Sequence, residues 1–213
     1  MTDSLPSECK EKLTKGIFEL GLKVSEDQID QLLLFVALLN KWNKAFNLTA
    51  IRDPEEMVVR HLLDSLSLAA DLKGDKIIDV GTGPGIPGIP LAIIFPKRQF
   101  TLMDSNGKKV RFIHQAKQSL GLLNIIPVQN RVETFDAKSK FDSVVSRAFT
   151  SLERMVRLTE HLVKDDGFMQ AMKGSYPDEQ ILKSPWEITE IIKLEVPFLE
   201  EQRHLVNIKR NVN

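Results

Sequence analysis

Residues 76–95, KIIDVGTGPGIPGIPLAIIF, join an apolar run to glycines at alternate positions, 81, 83 and 85, and then to a second apolar run. Ile77, Ile78 and Val80 flank a lone acid, Asp79, as in a strand covered on both faces. Glycines permit a tight turn and a close approach of backbone to a ligand. A strand, a glycine turn and a helix in succession belong to a sheet of parallel strands.

The downstream sequence repeats the alternation. Short runs, QFTLMD (99–104), NIIPVQ (124–129), FDSVVS (141–146) and GFMQAMK (167–173), are separated by helical stretches at KKVRFIHQAKQSL and LERMVRLTEHLV, and by a short VETF. Such units cross over right-handedly and build a doubly wound sheet. EITEIIKLEVPF (187–198) and RHLVNIKR (203–210) have no helix between them and read as an antiparallel ending. The expected fold is α/β, a Rossmann-like sheet of seven mostly parallel strands.

Upstream, the chain reads as helical. Ser7 is expected to cap a helix running to Gly21. SEDQ (25–28) has the form of a capping box. Behind it Ile29, Leu32, Leu33, Val36, Leu39 and Phe46 recur at helical spacing. DPEE (53–56) starts another helix, which carries Met57, Leu62, Leu63, Leu66 and Leu68 and stops near Gly74. The division expected is a helical cap over 1–73 and a ligand-binding domain over 74–213.

Ligands of such sheets bind beyond the C-terminal ends of the strands. Gly83, Gly85 and Gly88 match GxGxxG, and Asp104 follows Gly83 by 21 residues, where a ribose-binding acid belongs. A nicotinamide or flavin enzyme is therefore a competing reading. Three features favour S-adenosylmethionine instead. Asp79, expected at the mouth of the loop, would repel a pyrophosphate and attract an ammonium and a sulfonium. Pro84 and Pro87 remove amide donors that a phosphate needs. Gly81, Gly83 and Gly85 let the backbone approach an uncharged adenosine closely. No Lys follows the glycines as a Walker loop requires.

Two cations end strands on the ligand side. Arg147 can fork toward a carboxylate or phosphate, or make a structural ion pair. Lys173 can hold a phosphate, or be a solvated strand end. Lys108, Lys109 and Arg111 are expected to face outward, with phosphate contact and a plain solvated face both open. His61 precedes Asp64 by three residues on one helix face, where it could touch the substrate or anchor the helices to the sheet. Asn47 and Thr49 read as turn and cap chemistry.

WNKAFNLTAIRDPEEMVVRHLLDSL (42–66), DVGTGPGIPGIPLAI (79–93), DSNGKKVRFI (104–113), RVETF (131–135), SRAF (146–149), MKG (172–174) and RHLVNIKR (203–210) together resemble the RsmG/GidB family in sequence and order. These are bacterial methyltransferases that modify the 7-nitrogen of a guanine in 16S ribosomal RNA. The resemblance implies S-adenosylmethionine as cofactor and small-subunit ribosomal RNA, free or in a ribosomal particle, as partner. It implies that Gly81 and Ile86 line the first loop, that Val132 and Glu133 contact adenine, and that Arg147 stands at the mouth shared by cofactor and substrate. Ile86 stands where the family often has Leu or an aromatic residue, and Pro84 where it often has Ala. Glu133 also suits a plain helix start.

The implied chemistry asks little of the protein. Guanine N7 has a free lone pair and no proton to lose, so positioning and desolvation suffice. Arg147 and Lys173 are the catalytic candidates. Cys9, the single cysteine, lies far from the glycine loop in sequence, and SRAF replaces the Asn/Asp-Pro-Pro-aromatic run of exocyclic amine methyltransferases. One cysteine also leaves no internal disulfide and no Cys-rich metal site, and no metal is expected. Residues 76–213 hold 20 Lys and Arg against 16 Asp and Glu, while the whole chain is neutral. That balance fits a polyanion presented by a larger particle better than free RNA. No run approaches the ~18 apolar residues of a membrane span, and MTDSLPSECKEK lacks signal-peptide order. A cytoplasmic monomer is expected. The alternatives are an NAD(P)-dependent oxidoreductase and a non-catalytic RNA-binding or ribosome-assembly protein.

Overall fold

The computed structural model describes residues 5–147, 149, 151–177 and 185–211. Helix α1 spans Ser7–Glu19 and α2 Glu26–Phe46. Ser7 is the first helical residue, not the cap. Pro6 stands before it, and the Ser7 hydroxyl turns to Glu8. The capping box at α2 forms in full, with Gln28 N–H donating to Ser25 and Gln28 Oε1 accepting from the Ser25 amide. Ser25→Ala is expected to cost about 1 kcal/mol in chemical denaturation. Asn47 ends α2 in the left-handed region, φ 51°, which a short polar side chain tolerates.

Asp53 caps α3 (Pro54–Met57) through the Glu56 amide. The helix expected to reach Gly74 does not run regularly. It widens into a π turn over Val58–Leu63, resumes as α4 (Asp64–Leu66) and ends in a 3₁₀ turn at Ala69–Asp71. π turns inside helices are frequent at functional sites, and this one carries His61, with Asp64 directly after it.

The sheet comprises β1 (Lys76–Val80), β2 (Gln99–Asp104), β3 (Ile125–Gln129), β4 (Phe141–Ser146), β5 (Val163–Lys173), β6 (Trp186–Leu194) and β7 (Arg203–Arg210). Their order is β3-β2-β1-β4-β5-β7-β6. The first five are parallel, and β7 runs antiparallel between β5 and β6. Helices α5 (Gly88–Ile94), α6 (Gly107–Leu120) and α7 (Leu152–Thr159) make the crossovers, and VETF is one 3₁₀ turn. Strand β5 begins earlier than its apolar run suggests, because Val163 already pairs with Phe141.

One face of the sheet buries Leu13, Phe35, Phe100, Phe112 and Leu205 in a cluster shared by α1, α2, α5 and α6. The other buries Val144, Met155, Met169, Trp186 and Ile208 around α7. The chain leaves β1 toward β2 and β3, then returns to place β4 on its other side. That reversal opens a crevice above the C-terminal ends of β1 and β4.

Candidate functional site

Two concavities sit along that edge. The first is lined by Gly81, Met103, Asp104, Val132, Glu133 and Phe149, with Val80, Ser105, Asn130, Arg131, Arg154 and Leu158. Of the glycine loop, Gly81 lines it. The Gly81 and Thr82 amides donate to the Met103 carbonyl at 2.9 and 3.1 Å, and the Gly83 amide donates to Asp104 Oδ2 at 2.9 Å. Asp104 Oδ1 accepts from the Asn106 amide at 2.8 Å. A carboxylate has about four lone-pair sites, so Asp104 retains acceptor capacity for ribose hydroxyls. Lys109 does not simply face outward: its Nζ lies 3.8 Å from Asp104 Oδ2.

Asp79 is not at the mouth. It is 1 % exposed beneath the loop, where Oδ2 accepts from Thr82 Oγ1 at 2.6 Å and from the Gly88 amide at 2.9 Å. Its Oδ1 is buried with no hydrogen-bond partner. Burial pushes its pKa up to about 6, against the pull of the Thr82 and Gly88 hydrogen bonds and the Arg147 charge. Ile86 is likewise turned away from the cavity into the core, because the loop folds its apolar side chain onto α5. Gly83 and Gly85 both take left-handed φ, 62° and 92°. A Cβ on Gly85 would lie 2.4 Å from Ile89 Cδ1.

The second concavity adjoins β4, β5 and β7 and is lined by His61, Asp64, Arg147, Lys173, Gly174 and Arg203, with Ile51, Arg60 and Met172. Arg147 Nη1 donates to Asp64 Oδ2 at 2.6 Å, and Arg203 Nε donates to Asp64 Oδ1 at 2.8 Å. Asp64 is 2 % exposed, whereas both guanidiniums reach solvent in part. Lys173 Nζ donates to the Phe149 carbonyl at 3.0 Å, and Phe149 also lines the first concavity. The segment after β4 therefore borders both. His61 is buried. Its Nδ1 reaches the Arg60 carbonyl at 3.1 Å, which requires Nδ1–H, so Nε2 accepts from Thr49 Oγ1 at 2.9 Å. Burial, then the Arg147 charge, lowers its pKa to about 4, and it stays neutral at physiological pH. Thr49 thus serves this histidine as well as the turn.

Arg147 and Lys173 are brought together as a cationic edge, while Val132 and Glu133 line the first concavity. Sequence reasoning missed Arg203, and it gave Asp64 no role of its own. An acid within the apolar RHLLDS helix was the available signal for Asp64. Arg203, 139 residues further on, opens a strand as any surface cation can.

A larger concavity, about 720 Å³, lies elsewhere, among Lys12, Asp53, Glu55, Arg60, Phe198 and Glu201. Glu56 and Glu200 add to its acids, and it lies away from the C-terminal strand ends where ligands of such sheets bind, so the smaller pair at the strand ends is the candidate site. Among the described residues no His/Cys/Asp/Glu group could hold a metal ion. No described helix is long and apolar enough to cross a membrane.

The sheet order, the glycine loop and the acid at the end of β2 define the fold of class I S-adenosylmethionine-dependent methyltransferases. A methyltransferase of that kind from Aquifex aeolicus superposes with a TM-score of 0.56 at 13% identity, covering 73% of this chain and 93% of its own. One from Thiobacillus denitrificans, solved in complex with S-adenosyl-L-homocysteine, superposes with a TM-score of 0.51 at 11% identity, covering 81% of this chain and 98% of its own. The chain belongs to the GidB family, rRNA small subunit methyltransferase G, whose model matches residues 28–206. Ribosomal RNA small subunit methyltransferase G of Enterobacter sp. (strain 638) is 51% identical over 202 residues, which are 94% of this chain and 98% of that protein.

Proposed function

We propose that this protein transfers a methyl group from S-adenosylmethionine to the 7-nitrogen of a guanine in small-subunit (16S) ribosomal RNA. The observation that carries the reading is the adjacency of two unlike cavities. One is walled by Met103, Val132 and Phe149 around the Asp104 carboxylate; the other is lined by Arg147, Lys173 and Arg203. The first suits a nucleoside, with apolar walls for the base and an acid for the ribose hydroxyls, and the second an RNA backbone. Family membership favours methyl transfer over hydride transfer and over a non-catalytic binding role.

The residues present fit the donor. Asp104 has acceptor capacity for the ribose, Val132 and Glu133 flank the adenine position, and Gly81 and Gly83 add no side chain to the loop. Gly85 and Gly88 give the loop its shape, and Ile86 supports it from the core side. The buried, unpaired Oδ1 of Asp79 supplies a negative potential beneath a cationic ligand. When bound, the donor supplies an electrophilic methyl on a sulfonium, which guanine N7 takes with its own lone pair. The protein need not remove a proton, and neutral His61, with both ring nitrogens engaged, is no general base. Arg147 and Lys173 hold the RNA, and the apolar walls exclude water.

The neutral chain favours a ribosomal particle as substrate, with local phosphate contacts, acting as a monomer in the cytoplasm. Labelled-methyl transfer to small ribosomal particles, followed by nucleoside mapping, tests this. The expected product is 7-methylguanosine at one position. Lys173→Ala is expected to lower the rate by about tenfold, the scale of one lost charge-assisted contact. A label on a different atom, or equal labelling of unrelated free RNA, would sink the reading.

A further inference from the structure

Asp64 is the one acid in a cleft whose other charged walls are Arg60, Arg147, Lys173 and Arg203. An acid there opposes binding of a polyanion, yet the fold buries it completely and spends a π turn to set it there. Each of its oxygens takes one guanidinium, 2.6 Å from Arg147 and 2.8 Å from Arg203. Arg147 Nη1 also meets the Arg60 carbonyl at 3.3 Å, and Arg203 Nη1 the Gln202 carbonyl at 2.8 Å. Among the described residues, Nε and Nη2 of Arg147 and Nη2 of Arg203 have no hydrogen-bond partner. Two forks, one just past β4 and one at the start of β7, are thus locked by their inner edges, with donors left over.

Resting on the methyl-transfer reading, the chemistry says where those donors belong. Methylation at N7 adds carbon without releasing a proton, so the base takes over the positive charge that the sulfonium loses. Cations close to the ring therefore oppose the reaction as it proceeds, whereas on phosphate they assist binding. We propose that Asp64 is a positioning residue for methyl transfer. It fixes Arg147 and Arg203 on the RNA phosphate beside the target guanine, and its charge offsets theirs as the ring becomes cationic.

This predicts a split between binding and rate that simple loss of structure would not give. Interactions that differ between ground and transition state alter turnover, and those common to both alter affinity. Asp64→Asn removes the negative charge and leaves one oxygen for two guanidiniums. The experiment compares wild type, Asp64→Asn and Arg203→Lys for single-turnover methylation of unmethylated small ribosomal particles, and for affinity toward the same particles and toward S-adenosylmethionine. For Asp64→Asn the single-turnover rate is expected to fall at least about tenfold. Particle affinity should stay unchanged or tighten, and affinity for the methyl donor should hold within about twofold. Arg203→Lys, which keeps the charge but loses the fork, is expected to lower the rate with particle affinity retained. An Asp64→Asn rate equal to wild type, or a particle affinity that falls in step with the rate, overturns the proposal. If Asp64→Asn does not fold, Arg203→Lys decides alone, and a wild-type rate there overturns it. Inactivity of the wild type on every particle removes the underlying methyl-transfer reading and this proposal with it. An active wild type with a silent Asp64→Asn removes this proposal only.

Discussion

Asp79→Asn is expected to weaken binding of S-adenosylmethionine on the order of a hundredfold at neutral pH, at the upper end of ordinary buried charge pairing, while leaving the ligand-free protein as stable or more stable. The two effects share one origin. The carboxylate is wholly buried, and burial raises its pKa from 3.8 to about 6. The folded state thus holds the proton more tightly than the unfolded chain. The contribution of this group to stability is greatest below pH 4, falls as pH rises from about 4 to about 6, and is then lower by about 3 kcal/mol. Asn escapes that loss, though its amide meets the place where Oδ1 has no partner. The carbonyl oxygen can still accept from Thr82 and Gly88, so the loop persists. A cationic ligand reverses the balance by lowering the carboxyl pKa. Donor affinity of the wild type is accordingly expected to fall as pH drops below about 6. Calorimetric titration across pH, alongside thermal melts without ligand, reads both. Undiminished affinity in the variant would reduce Asp79 to a loop anchor.

Gly88→Ala is expected to cost about 2–3 kcal/mol of stability, the range for overpacking a closed interior, and to lower donor affinity with it. A Cβ at this position would lie 2.1 Å from Leu102 Cδ2 and 2.9 Å from Asp79 Oδ2. Leu102 is fully buried on β2 and Asp79 is held by Thr82, so neither can step aside. Any relief must pull α5 off the strand, which stretches the Gly88–Asp79 hydrogen bond of 2.9 Å. Denaturant titration measures the loss. A wild-type midpoint for Gly88→Ala would mean that the helix start has slack the packing does not reveal.

The strands were legible because Val and Ile runs bounded by turn residues leave little choice, and β1, β2, β4 and β7 fall where those runs lie. The start of β5 was not, since VKDDG continues the polar spacing of the preceding helix and only pairing with Phe141 makes it a strand. Residue type drew Asp79, and the family resemblance drew Ile86, toward the ligand. Whether a loop side chain points up or down is decided by what packs beneath it, here α5 and Leu102. The cleft was half legible. Arg147 and Lys173 stand at strand ends, where the topology puts ligands. Arg203 joins them only through Asp64, a contact between distant segments that no local pattern announces.

Strand β7 follows β6 in sequence but lies inside it in the sheet. With β7 seated between β5 and β6, β6 has no partner among the described strands until β7, which follows it in sequence, is in place. Until then Asp64 faces Arg147 alone, and the cleft lacks one wall. Completion of the cleft is thus tied to the pairing of β7 with β5 and β6.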